Sequence, residues 1–266
     1  MDVFNKPTAV DEDIVKNLGP LTPLAGIWEG EEGIDISPSR TGPVETRFRE
    51  RLTFDPIGPV VNGPQVLYGL RYTTTAWPLD QERPFHEEVG YWLWDPQAQQ
   101  VMRCFIVPRG VTVQAGGQAD PEAKNFELVG EVGSETYGIT SNPFLDQAFK
   151  TIRFTVTVTL HDQDRFSYAE DTQLQIQSLK DVFHHTDQNT LVRTRCPGPT
   201  GETMKKFHIA LGVSNIEESD RDYSLRFDQE ADLVIPGEYA IWRTQTLNVS
   251  IRRVPLEDSA KLRHFG

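Results

Sequence analysis

Six histidines are the chain's main resource for chemistry. Two are adjacent, His184 and His185, in VFHHTDQNTLVRTR at 182–195, and His86 stands two residues before Glu88 in FHEEVGYWLWD. His161 follows TIRFTVTVTL, His208 lies in FHIALGV, and His264 lies in RHFG near the C-terminus. A neutral imidazole is the residue type that a transition-metal centre takes. Neighbouring side chains on a strand point to opposite faces, so only one of the tandem pair can enter a given interior. His184 travels with Val182 and His185 with Phe183, and both neighbours are apolar, which leaves the choice open. His86 reads equally as a pocket residue or as a buried imidazole tied to Glu88. Arg109, beside Gly110, offers paired N–H donors to a carboxylate or caps a loop. No Ser-His-Asp set, Walker loop or dinucleotide fingerprint is present.

The elements that carry these residues are strands. In TIRFTVTVTL (151–160) Ile152, Phe154, Val156, Val158 and Leu160 alternate with polar residues, one face buried and one wet. RFRERLTF (47–54) alternates in the same way, with Glu50 the exception on the inner phase. Turn chemistry at DPIGP (55–59), VNGP (61–64) and ADPEAKN (119–125) is expected to break the segments. Residues 85–111 read as a hairpin with a polar turn, and NPFLDQAF (142–149) as a short helical turn. Many short strands predict a sandwich or a barrel, and a barrel of about eight or more strands can hold one small ligand. In LAGIWEGEEG (24–33), Gly26 is expected to bend the chain at a barrel floor and Trp28 to plug that floor.

Composition narrows the field. Hydrophobic residues at 38% and charged residues at 24% suit a soluble globular chain. A net charge of −13 argues against nucleic acid, whose phosphates need a basic surface. No apolar run approaches the roughly 18 residues of a membrane span. The mixed, acidic N-terminus lacks a secretory core, so the cytoplasm is expected, with Cys104 and Cys196 as free thiols. Residues 197–266 carry 9 Lys+Arg against 11 Asp+Glu, leaving 17 against 28 for residues 1–196. That shift hints at a boundary near residue 197; with the strand patterns and the resemblances given below, the expected organisation is an N-terminal extension at 1–20, a barrel at 21–196, a linker at 197–202 and a second unit at 203–266.

Residues 20–195 resemble the nitrobindin family, small haem-binding β-barrels related in shape to lipocalins and fatty-acid-binding proteins. The match is carried by Gly26, Trp28 and Gly30, and by Phe85, His86, Glu88, Gly90, Tyr91, Pro96 and Gly110-Val111 after Pro108-Arg109. The resemblance implies a closed antiparallel barrel holding haem b. Phe85 and His86 then lie near the pocket, and a last-strand histidine is the iron ligand. His185 is preferred over His184 because HTDQNTL looks like the recurring segment of a bacterial subgroup. The segment departs from the family at Thr186–Asn189, where hydrophobic alternation is expected. Handling of nitric oxide, and a peroxynitrite isomerase-like activity, are what the resemblance implies for function. An alternative is a carrier of a fatty acid or other apolar carboxylate, anchored by Arg109 or by the arginines of 47–53.

The last third reads as βαβββ. FHIALGV is a strand; Asn215 and Glu218 make a capping-box-like helix start; Ile216, Tyr223 and Phe227 form one apolar face. DLVIP, EYAIWRT and TLNVSIRR follow as strands. HIALGVSNIEES, EYAIWRTQTLNVSIR and LRHFG resemble one module of glyoxalase-like proteins of the vicinal oxygen chelate superfamily. The resemblance implies metal ligands at His208 and His264. Two ligands are fewer than a divalent site needs, so a metal in the tail is not expected unless a dimer completes a glyoxalase- or dioxygenase-like centre. An open half-module has edges to cover, which suggests a homodimer through 203–266.

Overall fold

The computed structural model describes residues 2–196, 207–227, 229–243, 247–259 and 262–265. They form two compact units, Met1–Glu202 and Thr203–Gly266. The first unit carries β1 (Gly26–Ser39), β2 (Gly42–Asn62), β3 (Gln65–Pro78), β4 (His86–Asp95), β5 (Gln100–Val107) and β6 (Val111–Gln118). It continues with β7 (Asn125–Val132), β8 (Gly138–Ser141), a short helix α1 (Pro143–Ala148), β9 (Phe149–Leu160), β10 (Arg165–Ile176) and β11 (Phe183–Arg195). These eleven strands close into a barrel in the order β1-β11-β10-β9-β7-β8-β6-β5-β4-β3-β2. The expected closed, mostly β barrel is therefore present. Its strands pair antiparallel except β7 with β8, which run parallel over Glu131 to Gly138 and Val132 to Ile139.

Strand alternation sets the lumen, with two departures. In β2 the inward phase holds Phe48, Glu50, Leu52 and Phe54, all buried. The turn expected at DPIGP does not form: β2 continues to Asn62 and absorbs the Gly-Pro pair as a register shift between Ile57 and Val60. A bulge relieves what Pro and Gly disrupt in a ladder without ending the strand. In β9 the partner of Gln173 is Arg153 and that of Leu174 is Thr151, so Ile152 is an extra residue. The phase flips there, and Thr151, not the expected Ile152, is buried.

The floor is built by the residues before β1. Short 3₁₀ turns at Val15–Asn17 and Gly19–Leu24 bury Leu18, Leu21 and Leu24 completely. The stretch up to residue 20, expected as an extension, is thus part of the core from Leu18 on. Trp28 is buried beneath them, donates Nε1–H to the Leu24 carbonyl at 2.7 Å and meets Phe166 edge-on. Gly26 has φ +130°, and a Cβ there would strike the Arg195 carbonyl across β11, so only glycine fits the bend. At Gly30 a Cβ would come within 2.5 Å of the Thr190 carbonyl.

The second unit has β12 (Phe207–Val213), α2 (Ile216–Phe227), β13 (Leu233–Ile235), β14 (Tyr239–Arg243), β15 (Leu247–Arg253) and β16 (Leu262–Phe265). Its sheet order is β13-β14-β15-β12-β16, with β12 parallel to β15. The capping at the start of α2 is as expected: the Glu218 N–H donates to Asn215 Oδ1 at 3.1 Å. Trp242 is fully buried and packs against Tyr223 and Phe227. The βαβββ order is followed by β16, which pairs antiparallel with β12 at Ala210 and His264. His264 therefore sits on an edge strand of the same sheet.

Candidate functional site

The barrel encloses a cavity of about 690 Å³, within the roughly 300–1,000 Å³ of small-molecule pockets. Its walls divide by chemistry. Phe48, Phe85, Phe105, Leu145, Phe149 and Leu174 supply apolar surface. A polar assembly fills the rest, centred on Arg103 of β5, which is 5% exposed. Arg103 Nη2 donates to Glu88 Oε2 at 2.7 Å, Nη1 donates to Glu170, and Nε donates to the Tyr72 hydroxyl at 3.1 Å. Tyr72 in turn donates to Glu88 at 2.8 Å. The guanidinium carbon also lies 4.5 Å from the Phe105 ring centroid and 5.1 Å from that of Trp92. The sole guanidinium of this assembly is thus saturated by carboxylates and aromatic faces.

A second group surrounds Glu50. It accepts hydrogen bonds from Thr74 at 2.8 Å, Tyr168 at 2.8 Å and Asn189 Nδ2 at 3.1 Å. Cross-strand register adds a third feature. Asp187 of β11 stands opposite Asp35 of β1 and opposite Glu170 of β10. Residues directly opposite share a face, so three carboxyls form one row on the lumen side, an arrangement that costs sheet stability. All three line the cavity.

This crowding shifts the acids in opposite directions. Burial pushes Glu50 up, against the hydrogen bonds from Tyr168, Thr74 and Asn189. Burial also raises Glu170, with Arg103 opposing and Glu88 adding to the rise. Asp187 is pushed well above the usual carboxylate range by burial and by Glu170, Glu50 and Asp35. Glu88 goes the other way: burial would raise it, but Arg103 and His86 bring it down to about 2.

The histidines of the barrel are now placed. His185 lines the cavity, and its Nε2 lies 2.7 Å from Asp35 Oδ1. His184, on the opposite face, is 57% exposed, bonds Asp171 through Nδ1 at 2.8 Å and does not line the cavity. His86 lines the cavity with its Nε2 3.2 Å from Glu88 Oε1. Burial would lower it, but Glu88, Glu170 and Glu50 leave it raised. Phe85 is 44% exposed at the mouth and meets Phe48 edge-on at 5.7 Å. Arg109 is an exposed rim residue whose carbonyl accepts from Asn142 Nδ2 at 2.8 Å. His161 is exposed and bonds Ser167.

Three sequence expectations need correction or limits. The arginines of 47–53 cannot anchor a ligand carboxylate in the lumen: Arg47, Arg49 and Arg51 project outward to Glu45, Glu82 and Glu29. The side chains of His208 and His264 fall outside the described residues. The sequence reading also missed Arg103, Glu170, Asp187, Tyr72 and Tyr168. Its signal was available at Arg103, which occupies the inward phase between Val101 and Phe105.

Residues 17–193 match a family model described as the THAP4-like, heme-binding beta-barrel domain. The chain belongs to this family. Among curated proteins none matches. A solved structure, Rv2717c from M. tuberculosis, is similar at a TM-score of 0.49 and 22% identity, covering 66% of this chain and 95% of that one. Membership in the THAP4-like haem-binding family supports haem as the cofactor and a nitrobindin-like, haem-binding barrel as the function. The residues present fit such a group. The cavity has the size and the apolar wall for a flat macrocycle, and His185 brings an imidazole into it. The Asp35 carboxylate on one ring nitrogen is the usual outer partner of a metal-binding histidine. Among the described residues Nδ1 takes no hydrogen bond.

Proposed function

We propose that this member of the haem-binding barrel family holds haem b with His185 as the axial ligand. The observation that carries the reading is the alternation in β11, which puts His185 and not His184 against the cavity. Bound haem supplies an iron able to take a small ligand such as nitric oxide or peroxynitrite. The chain's own part is positional: Asp35 orients the imidazole, Phe48, Phe105 and Phe149 exclude water, and His86 with Phe85 lines the mouth. Hemin titration tests this. The wild-type chain and His184→Ala are expected to develop a Soret band, whereas His185→Ala loses it or shifts it. A normal band in His185→Ala together with its loss in His184→Ala defeats the assignment.

A homodimer through the second unit is a separate proposal. It is supported by β13, an edge strand whose Leu233, Val234 and Ile235 are all exposed, the kind of edge that pairs with another chain. Charged substitution of Val234 is expected to lower the mass measured by light scattering. The free thiols of Cys104 and Cys196 support a reducing compartment such as the cytoplasm. Among the described helices none is long and apolar enough to cross a membrane.

A further inference from the structure

Among the described residues four basic side chains line the barrel cavity: His86, Arg103, Arg109 and His185. Three of them have a carboxylate partner. His86 has Glu88, His185 has Asp35, and Arg103 has Glu88 and Glu170. No described residue pairs with the Arg109 guanidinium. Its backbone, by contrast, is fixed. The turn Pro108–Gly110 joins β5 to β6 and is closed by the Gly110 N–H to the Val107 carbonyl at 2.9 Å. The Arg109 carbonyl accepts from Asn142 Nδ2 at 2.8 Å, which ties the turn to the start of α1. Glu87 also borders the mouth, but it is exposed on the outer phase of β4 between His86 and Glu88.

Depth along the barrel gives this unpaired cation a meaning. Antiparallel pairing from β11 through β1 to β5 puts the Pro108–Gly110 turn at the same end as the start of β11. His185 stands two residues, about 7 Å, inside that end, since β11 begins at Phe183. Beyond His185 the lumen turns acidic. Asp187 follows beside Glu170, and Glu50 bonds Asn189 further along. The floor below is apolar, with Leu24, Leu52, Phe54 and Phe166. A haem b molecule carries both propionates on one edge and only methyl and vinyl groups on the opposite edge. Propionates turned inward would meet these carboxyls, and the one deep guanidinium is already neutralised. A buried charge without a partner is costly. Turned outward, the propionates stay in water and reach the rim.

We propose that Arg109 is the propionate anchor of this barrel, and that it sets the porphyrin with its carboxylate edge at the mouth and its apolar edge on the floor. The proposal rests on the haem reading above and adds to it the direction in which the macrocycle sits. A guanidinium suits the task, because its fork of N–H donors takes a carboxylate in two parallel hydrogen bonds. Arg109 is a positioning and affinity residue here, with no part in the chemistry at iron.

The test titrates the full-length chain with protoporphyrin IX and with its dimethyl ester, followed by quenching of tryptophan fluorescence. Neither probe contains iron, so no axial ligand enters the measurement. Arg109→Gln is expected to weaken protoporphyrin IX about three- to tenfold, the range of an ion pair at an exposed rim, and to leave the ester within about twofold. Arg109→Lys should restore part of the loss, since it returns the charge without the fork. The Arg109 side chain is exposed and unpaired, so neither variant should disturb the fold; their urea midpoints check this. Equal binding of protoporphyrin IX by the wild type and Arg109→Gln overturns the proposal. So does an equal loss for acid and ester, or the absence of quenching by protoporphyrin IX. The axial assignment is read separately, from the Soret band of hemin in His185→Ala, and it can fail while the Arg109 difference stands. Conversely, Arg109→Gln that takes up hemin with wild-type affinity and an unchanged Soret band keeps the haem reading and removes the anchor.

Discussion

At the residue scale, Arg103 is the hinge of the interior. It is the guanidinium between Glu88 and Glu170, residues 15 and 67 positions away in the chain. Removing one partner of a buried ion pair leaves the others uncompensated, at a cost of roughly 3–5 kcal/mol. Arg103→Met is therefore expected to lower stability by about that much in urea unfolding. Adding Glu88→Gln and Glu170→Gln to the same chain should restore most of the loss, because the charges then disappear together. If the triple variant is no more stable than Arg103→Met, the packing of the arginine stem, not its charge, is what matters. The inward phase of Val101, Arg103 and Phe105 was legible in the sequence. Its partners were not, since strand phase says that a side chain points inward and nothing about which strand faces it.

At the element scale, β1 and β11 decide the two ends of the lumen. Trp28 closes the floor through a ring contact with Phe166 and the Nε1–H bond to Leu24. Trp28→Phe keeps a six-membered ring but loses the N–H bond and the pyrrole half of the indole, so it should cost roughly 1–3 kcal/mol. Trp28→Ala opens a void and should cost about 3–5 kcal/mol. Thermal or urea unfolding of the two variants measures both, and equal losses would contradict the plug. The Gly26–Trp28 pair was readable because a bend and a large buried ring are local demands. The bulges at Ile57–Val60 and at Ile152 were not. Each depends on how the neighbouring strand counts its residues, so DPIGP looked like a stop and Ile152 looked like core.

At the scale of the whole molecule, the acidic lumen ties stability to pH. Glu50 and Glu170 are raised in the folded barrel, so the folded state binds protons more readily than the unfolded chain. Stability then falls as pH rises from the ordinary carboxylate range through their folded values. His86 is raised too, so its contribution is full below the ordinary imidazole value and fades as pH climbs through the folded one. Glu88, held down to about 2, acts oppositely: its contribution is present above the ordinary carboxylate value and is lost toward pH 2. The barrel is accordingly expected to gain melting temperature as pH is lowered from about 8 toward about 5, and to lose it in strong acid. Glu50→Gln should flatten the neutral-to-acid rise. A melting temperature that climbs steadily from pH 5 to 8 would refute this picture. Each unit also has its own core, one centred on Trp28, Phe54 and Trp92 and the other on Trp242. A chain ending at residue 196 should therefore still bind hemin, as its Soret absorption would report.

The sequence by itself determined that strands dominate, that Gly26 and Trp28 make a bend beside a large ring suited to the core, that a βαβββ stretch follows, and that no more than one of the two tandem histidines can turn inward. These follow from local periodicity and turn chemistry, which every residue carries with it. Only the tertiary structure decided which histidine enters the cavity and that Asp35, Asp187 and Glu170 share one rung. Register between strands far apart in the chain sets those outcomes, and a shift of one residue exchanges the inner face for the outer.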